Sequence, residues 1–479
     1  MAEHRLSLAI NGRERLLERR LVPFSMPDAQ SPDAQSPDGQ SPDGQAQVQA
    51  ARNGRARLGP VAIVGLGYVG LPTALALIGG SSQITGYDIS DDRLRAIESG
   101  DVDLSDLDRA RLAVASSDES FHLTSDSAAL GKADAVILCV PTPVDERHTP
   151  DLRALRSACQ TVVEHAHQGQ TIILTSTSFV GATRQLLVDP LHQHGLTVGT
   201  DVYVAFSPER IDPGNPDHLQ RETPRVVGGV TAECSQQAAR VIRQLTDSVY
   251  LVSSPEAAEL TKLYENIFRA VTLALANEFS DVCGTLGLDP IEVTLAAATK
   301  PYGFLAAFPG PGVGGHCIPC DPHYLLWQLR ERNLPTPLIE RAMQSIHARP
   351  ARVVERAAEV LGEGRSLAGA KVIVVGASYK AGVSDVRESP ALLIIDGLAE
   401  RGAAVGYHDP LVPAVQTPQG RALHNVAAPN GSDWELAIIH VAHPDTDYTW
   451  VRGCPRVLDA TYLFDGPGLF DDAAQRSVV

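Results

Sequence analysis

The sequence predicts an α/β chain in which two doubly wound parallel sheets are joined by a long central helix. Three observations carry that reading. Short β-branched runs alternate with helical or polar segments from about residue 57 to 252, the pattern of buried parallel strands and their crossovers. A stretch of helical composition over 253–287 breaks the alternation, and helical segments continue to about 362. Strands then resume at 371. At 479 residues the chain has length for two or three domains, and its 44% hydrophobic content is enough to fill their cores.

Taken in order, residues 26–45 (MPDAQSPDAQSPDGQSPDGQ) repeat a five-residue unit four times and offer nothing to bury. Residues 1–56 are therefore expected to form a disordered tail, read as a solvated extension ahead of a partner-recruiting arm. Folded structure is expected from Arg57 to 252. Its strands are VAIV, ITGYD (84–88), AVILCV (135–140), TIILTS (171–176), VYVAF (202–206) and RVVGG (225–229), with a helix over Tyr68–Ile78 that carries Pro72 in its early turns. The long helix can be capped by Ser253 or Ser254, takes Pro255 in its first turn and ends at Gly284 or Gly287. It opens a helical region over 253–362. The last region, 363–479, contains KVIVVG (371–376), a helix near 389–401, AAVGYHD (403–409), LAIIHVAH (436–443) and RVLDAT (456–461).

The formal charge of −17 and pI near 5.3 argue against a general nucleic-acid or anionic-membrane surface, while leaving room for a small anion held by amides and a few arginines. Seven scattered cysteines are no disulfide framework and fit a reducing cytoplasm. The first 25 residues are too charged for a signal peptide, and no apolar run reaches spanning length, so a soluble protein is expected.

Directly after the first strand, GLGYVG supplies Gly65, Gly67 and Gly70. Gly65 suits the tight turn, Gly67 lets the backbone approach a pyrophosphate, and Gly70 lets helix and strand pack closely. The pyrophosphate would sit on the helix N-terminus. Asp88 ends the second strand, 18 residues after Gly70, where it can accept hydrogen bonds from a ribose diol and repel a 2′-phosphate. NAD is therefore expected rather than NADP. The domain reads as Rossmann-like. The second sheet is expected to be Rossmann-like too, but its GASYKAGVSD keeps one glycine and adds Lys380, so it either holds a phosphate through lysine or only packs.

PGPGVGGHCIPCDP (309–322) places reactive groups on a bare backbone. Zinc needs about four ligands, and Cys317 and Cys320 have no second pair downstream, with His316 adjacent rather than at ligand spacing. A redox CxxC opens a helix after a strand, whereas this one reads as sitting in a proline–glycine loop. A buried, inert cysteine remains open. Nucleophilic catalysis fits better, because small residues leave a substrate carbon room and loop amides can polarise its oxygen.

The motifs GLGYVGLP, CVPTPV, STS, FSPERIDPGNP, KLYENIFRAV, AATKPYGF, PGPGVGGHCIPCDPHYL and YKAGVSDVRESPA occur in that order from about Gly59 onward. Together they resemble the UDP-glucose/GDP-mannose dehydrogenase family of four-electron nucleotide-sugar 6-dehydrogenases. FSPERIDPGN, GGHCIP and TKPYGF are similar to the branch acting on N-acetylated hexosamines, UDP-N-acetylglucosamine first.

The resemblance implies a UDP-sugar substrate and a C6 alcohol oxidised twice with NAD, with Cys317 holding the half-oxidised sugar. Lys262, Asn266 and Arg269 recur at i, i+4 and i+7, on one helix face. By similarity Lys262 and Asn266 face C6, and Arg269 contacts the sugar or pairs with a carboxylate. Glu209 resembles the base that activates water against a thioester, its alternative being an ion pair with Arg210. Asp321 resembles the acid that holds Lys262 or a water, and Thr177 the hydroxyl assisting it. For the cofactor the resemblance implies Gly65, Gly67, Tyr68, Val69, Gly70, Asp88, Arg93, Val140, Thr142 and Thr177. For the sugar nucleotide it implies Glu209, Arg210, Lys262, Asn266, Arg269, Gly314, Lys380 and Arg387. It also implies a homodimer through the central helix. Two positions depart from the pattern. Cys320 replaces an aliphatic or basic residue, raising a Cys317–Cys320 disulfide as an inactivating reaction, and Val180 in STSFVG stands where proline is common. A two-electron dehydrogenase with a structural Cys317, and a non-catalytic nucleotide-sugar sensor, are the competing readings.

Overall fold

The computed structural model describes residues 57–145, 147–211, 220–362, 364–462 and 476–478. The expected repeat tail over 1–56 and residues 212–216 of the SPER motif lie outside them. Of the described residues, 57–265 and 323–333 form one compact unit, and the remainder from 266 onward form the other.

The first unit is built on eight strands. These are β1 (Val61–Val64), β2 (Ile84–Tyr87), β3 (Phe121–Thr124), β4 (Ala135–Leu138), β5 (Thr171–Leu174), β6 (Tyr203–Phe206), β7 (Arg225–Gly229) and β8 (Val249–Val252). They lie in the order β3-β2-β1-β4-β5-β6-β7-β8, and every neighbouring pair is parallel except β6 with β7. The first six follow the winding of dinucleotide-binding sheets, in which the chain changes direction between β1 and β4 and leaves a crevice at their carboxyl ends. β1, β4 and β5 are buried at every residue, as strands covered on both faces must be. Their apolar side chains meet Leu71, Ala74 and Leu75 of α1 (Gly70–Leu77). β3 and β8 are sheet edges with half-exposed patterns. α2 (Asp91–Ser99) starts on Ser90, whose hydroxyl accepts from Arg93 N, and stops at Gly100 in the left-handed region.

The long helix α3 (Pro255–Leu286) begins with the Ser254 hydroxyl accepting from Ala257 N (3.2 Å) and ends before Gly287 at φ +70°. Further along the chain come α4 (Cys317–Glu331) and α5 (Pro337–Leu361). Among the described residues no helix is long and apolar enough to cross a membrane.

The second unit carries a five-stranded parallel sheet of β9 (Lys371–Val375), β10 (Ala404–His408), β13 (Leu436–Ile439), β14 (Val457–Asp459) and β15 (Arg476–Val478), in the order β10-β9-β13-β14-β15. A short antiparallel hairpin, β11 (Ala414–Gln416) with β12 (Ala422–His424), was not legible in the sequence. α6 (Pro390–Glu400) and α5 cover one face, with Ile394, Ile395, Leu398, Val353 and Ala357 against Val372, Val374 and Ile438. The turn after β9 repeats the geometry after β1: Gly65 and Gly376 both have φ +86°.

A Cβ at residue 376 would lie 2.2 Å from Val441 O in a backbone conformation that L-residues avoid. Gly376→Ala should therefore cost about 3 kcal/mol or more, read as a fall in the chemical-denaturation midpoint at unchanged m value.

Candidate active site

At the carboxyl end of β1 the three glycines do different physical work. Gly65 needs its positive φ, and a Cβ there would touch Cys139 O at 2.8 Å. A Cβ on Gly70 would lie 1.8 Å from Gly65 O, so that position carries the close helix–strand contact. Gly67 is exposed and its would-be Cβ has nothing within 4 Å. Space beside a bare peptide at the start of a helix is what a pyrophosphate needs, so the residues present fit a dinucleotide.

Asp88 has a second task. Its Oδ2 accepts from Leu66 N (2.8 Å) and its Oδ1 from Ser90 N (3.0 Å), while Arg93 Nε donates to Leu66 O (2.8 Å). Both polar groups of Leu66 are thereby fixed, and with them the turn that carries Gly67. Tyr68 is exposed and Val69 immediately precedes α1. Thr142 is buried, and Val140 N donates to Ser176 Oγ (2.9 Å), tying CVPTP to the half-buried Thr177 segment. The sequence reading passed over Ser176. The neighbouring Cys139 is no competing nucleophile: burial, helped by the charge of Glu209, pushes its thiol up to about 12.

Glu209 is not paired with Arg210. Its Oε2 lies 2.6 Å from Nη1 of Arg225, and its Oε1 accepts from Arg210 N (2.8 Å) and Ile211 N (3.1 Å). Arg225 is 1% exposed, a cation opening the buried strand RVVGG. The guanidinium of Arg210 turns to Glu265 and to Pro224 O (2.9 Å). Glu259, also missed, is 1% exposed on α3 and accepts from Gly181 N, Thr183 N and Thr183 Oγ1; burial raises its carboxyl pKa despite those bonds. Val180 justifies its departure from proline. Its N–H donates to Gln328 Oε1 (3.1 Å) and its carbonyl accepts from Gln328 Nε2 (2.7 Å), and proline has no N–H to give. Lys262 is half-buried on the same helix, and Arg269, two turns on, is exposed.

In the second unit the bare backbone has a reason that the sequence did not reveal. Would-be Cβ atoms on Gly312 and Gly314 fall 2.8 Å from Pro390 and 2.6 Å from Tyr379, and one on Gly315 falls 2.9 Å from the Tyr379 ring. The glycines admit neighbouring protein; they were read above as leaving room for a substrate carbon. Gly315 N also donates to Arg387 O (3.0 Å).

The CxxC does not lie in the loop, as expected, but opens α4 at Cys317. Pro319 falls in the first turn, where a missing N–H costs nothing, whereas Pro322 lies inside the helix and takes one bond out of its ladder without ending it. Cys317 is exposed and Cys320 buried; all seven cysteines are free thiols. A sulfur on the first residue of a helix meets unpaired N–H groups and the positive end of the dipole, a setting that favours negative charge. One turn along, buried Asp321 accepts a hydrogen bond on Oδ2 from Nδ2 of buried Asn266. His316 is kept neutral near pH 7, its pKa lowered by burial and then by the charge of Arg387. Arg387 itself is engaged by Asp385, through Nε to both oxygens (3.0 Å) and Nη2 to Oδ2 (2.6 Å). Lys380 and Gly314 are half-buried.

The expected site set thus divides between the units, with Thr177, Glu209 and Lys262 in the first and Asn266, Cys317 and Asp321 in the second. Comparison with known proteins gives this geometry its context. Residues 60–246 match the NAD binding domain of the UDP-glucose/GDP-mannose dehydrogenase family, residues 256–346 its central domain and residues 373–472 its UDP binding domain. The chain is 35% identical over 353 residues to protein CapL of Staphylococcus aureus, covering 73% of this chain and 81% of that one. It is 32% identical over 388 residues to a UDP-N-acetyl-D-glucosamine 6-dehydrogenase of Pseudomonas aeruginosa, covering 80% and 90%. A UDP-D-ManNAc dehydrogenase structure from Pyrococcus horikoshii superposes with a TM-score of 0.76 at 29% identity, over 85% of this chain and 96% of that one. Fold, glycine turn and these matches define an NAD-dependent oxidoreductase of the nucleotide-sugar dehydrogenase class. The chain belongs to the UDP-glucose/GDP-mannose dehydrogenase family.

Because its Cβ would meet open space, Gly67→Ala should leave the melting temperature within about 2 °C while weakening NAD binding at least about tenfold, measured by titration calorimetry. Gly70→Ala should instead unfold the turn.

Proposed function

We propose that the protein oxidises the C6 alcohol of a UDP-N-acetylhexosamine, UDP-N-acetylglucosamine first, to the uronate in two NAD-dependent steps. The observation that carries this reading is the exposed thiol at a helix start, one turn from the buried Asn266–Asp321 pair. Bound NAD supplies the acceptor for each hydride. Removing two electrons and two protons from the alcohol leaves an aldehyde, to which the Cys317 sulfur adds to form a thiohemiacetal. A second two-electron oxidation of that adduct leaves a thioester, and water releases the acid and regenerates the thiol.

Asp321 fixes the amide of Asn266 so that, with Lys262, it steadies charge on the C6 oxygen, and Thr177 assists with its hydroxyl. Three of the acceptor sites of Glu209 are already taken, so it is better placed to orient the hydrolytic water than to carry its proton away. Residues 57–252 would hold NAD through Gly65, Gly67, Tyr68, Val69, Gly70, Asp88, Arg93, Val140, Thr142 and Thr177. Residues 253–362 would carry the chemistry, with Arg269 and Gly314, joined by Arg210 of the first region, toward the sugar, and 363–479 would hold UDP through Lys380 and Arg387. Arg387 would exchange Asp385 for a phosphate. The mannosamine epimer is the second reading, favoured by the name of the Pyrococcus horikoshii structure. Seven free thiols support a cytoplasmic setting.

Two NADH per uronate are expected with UDP-N-acetylglucosamine, and Cys317→Ser should lower uronate formation by on the order of 10³ or more. Undiminished uronate from that variant would refute the role of the sulfur. A ratio of one NADH would point to the two-electron enzyme, and a panel of UDP-sugars decides the epimer.

We also propose a homodimer through α3. Leu275, Phe279, Val282 and Leu286 recur along that helix and are 63%, 43%, 46% and 65% exposed, an apolar stripe that a partner would cover. Light scattering should give twice the 51.0 kDa chain mass, falling to one chain for Phe279→Glu.

A further inference from the structure

Arg349, on α5, is 3% exposed. A buried cation without partners would cost several kcal/mol, and this one is met on every arm. Nη1 lies 2.9 Å from Asp281 Oδ1, Nη2 donates to Ser280 Oγ (3.2 Å) and Tyr462 OH (3.1 Å), and Nε donates to Gly310 O (3.0 Å). Charge balance needs only Asp281. The bond to Gly310 serves something else, because Gly310 lies in the segment that delivers Cys317. The N–H of the same residue donates to Oδ1 of buried Asn277 (2.9 Å), whose own carbonyl accepts from Ser280 Oγ (2.7 Å). Gly310 is therefore gripped by both its polar groups, on a backbone whose glycines would otherwise leave it loose.

The far end of the segment is fixed as well, by Gly315 N on Arg387 O and by the packing of Gly314 and Gly315 on Tyr379. Between the two anchors the chain has only Pro311–Val313, and between the second anchor and the sulfur only His316.

We propose that Asn277 and Arg349 are positioning residues for Cys317, setting the sulfur through their joint hold on Gly310. The inference rests on the reading of Cys317 as the nucleophile. One sulfur must meet the aldehyde and then present the adduct for a second oxidation, and a shift of about 1 Å can cost about 10²-fold in rate.

The test uses Asn277→Ala, which removes the acceptor, and Asn277→Asp, which restores an oxygen at the same place. Cys317 is the one exposed cysteine, so its alkylation by iodoacetamide reports the loop without any turnover. Expected for Asn277→Ala are a kcat lowered about 10–100-fold, KM for the UDP-sugar and Kd for NAD within about threefold, and an alkylation rate changed several-fold. Asn277→Asp should bring kcat and alkylation back to within about threefold of wild type. Wild-type kcat and alkylation in the alanine variant would overturn the proposal. So would equal losses in both variants that track a lowered melting temperature, since that is the signature of a purely structural contact. Cys317→Ser separates the two claims. If it still makes uronate, the nucleophile reading fails, while the alkylation rates still judge the hold on the loop.

Discussion

Each sheet turns on one hydrogen bond. A glycine at φ +86° ends the first strand, and the next N–H is donated to an aspartate ending the second: Leu66 N to Asp88 (2.8 Å), Ala377 N to Asp409 (2.7 Å). The turn cannot relax into an ordinary conformation without breaking that bond, and the aspartate cannot leave without exposing a fixed donor. The same constraint then has opposite outcomes. Gly67, two residues past its turn glycine, has open space beside it, whereas the corresponding Ser378 is 0% exposed. Asp409 is 0% exposed and shared among Ala377 N, Ser378 N and His443 Nε2 (3.1 Å); burial opposes its charge, but the bonds from His443 and the Ser378 amide outweigh it and hold its pKa far below the usual carboxylate range. His443 Nδ1 accepts from Gly382 N (3.0 Å), which assigns the ring hydrogen to Nε2. The carboxylate ending the second strand is thus wholly enclosed by protein partners in the second sheet and only half-buried in the first.

That difference also bears on the loop over 376–389. Ser378, His443 and Asp409 fix its start, the Ser389 hydroxyl bonds Ala377 O (2.7 Å), and the Arg387 carbonyl receives Gly315 N. The turn that would hold a diphosphate in the first sheet has here become the seat for the segment leading to the thiol. Glycine at 312, 314 and 315 follows from this contact, since any side chain there would displace Pro390 or Tyr379.

Much of the fold could be read because central parallel strands are buried on both faces and must be β-branched and apolar, as VAIV, AVIL and TIIL are. FHLT escaped because an edge strand mixes polar and apolar residues; VYLV is wholly apolar and was passed over. The glycine turn was legible because positive φ and close packing both demand glycine. What could not be read was partnership across distance. The Asp88–Leu66 bond spans 22 residues, Glu209–Arg225 spans 16 and Arg349–Gly310 spans 39, and local pattern says nothing about which charge meets which. The start of α4 was misplaced for another reason. Two prolines and two glycines within a few residues of Cys317 signal a loop, yet Pro319 sits in a first turn, where proline is compatible with a helix, and the helix runs on past Pro322.

Arg225, Glu259 and Arg349 are each 3% exposed or less, which is an odd way to gain stability. Desolvating a charge costs several kcal/mol, and apolar replacements of buried ion pairs are often neutral or stabilising. Their partners suggest what the cost supports. Glu259 holds the Gly181–Thr183 turn after β5, Arg225 holds Glu209, and Arg349 holds Gly310. Each buried charge grips a turn or loop rather than a regular strand. Apolar packing is non-directional and would let such segments slide, whereas the directed bonds of a guanidinium or carboxylate favour one arrangement. The buried charges are best understood as geometry fixed at a cost in stability, placed where the backbone is barest.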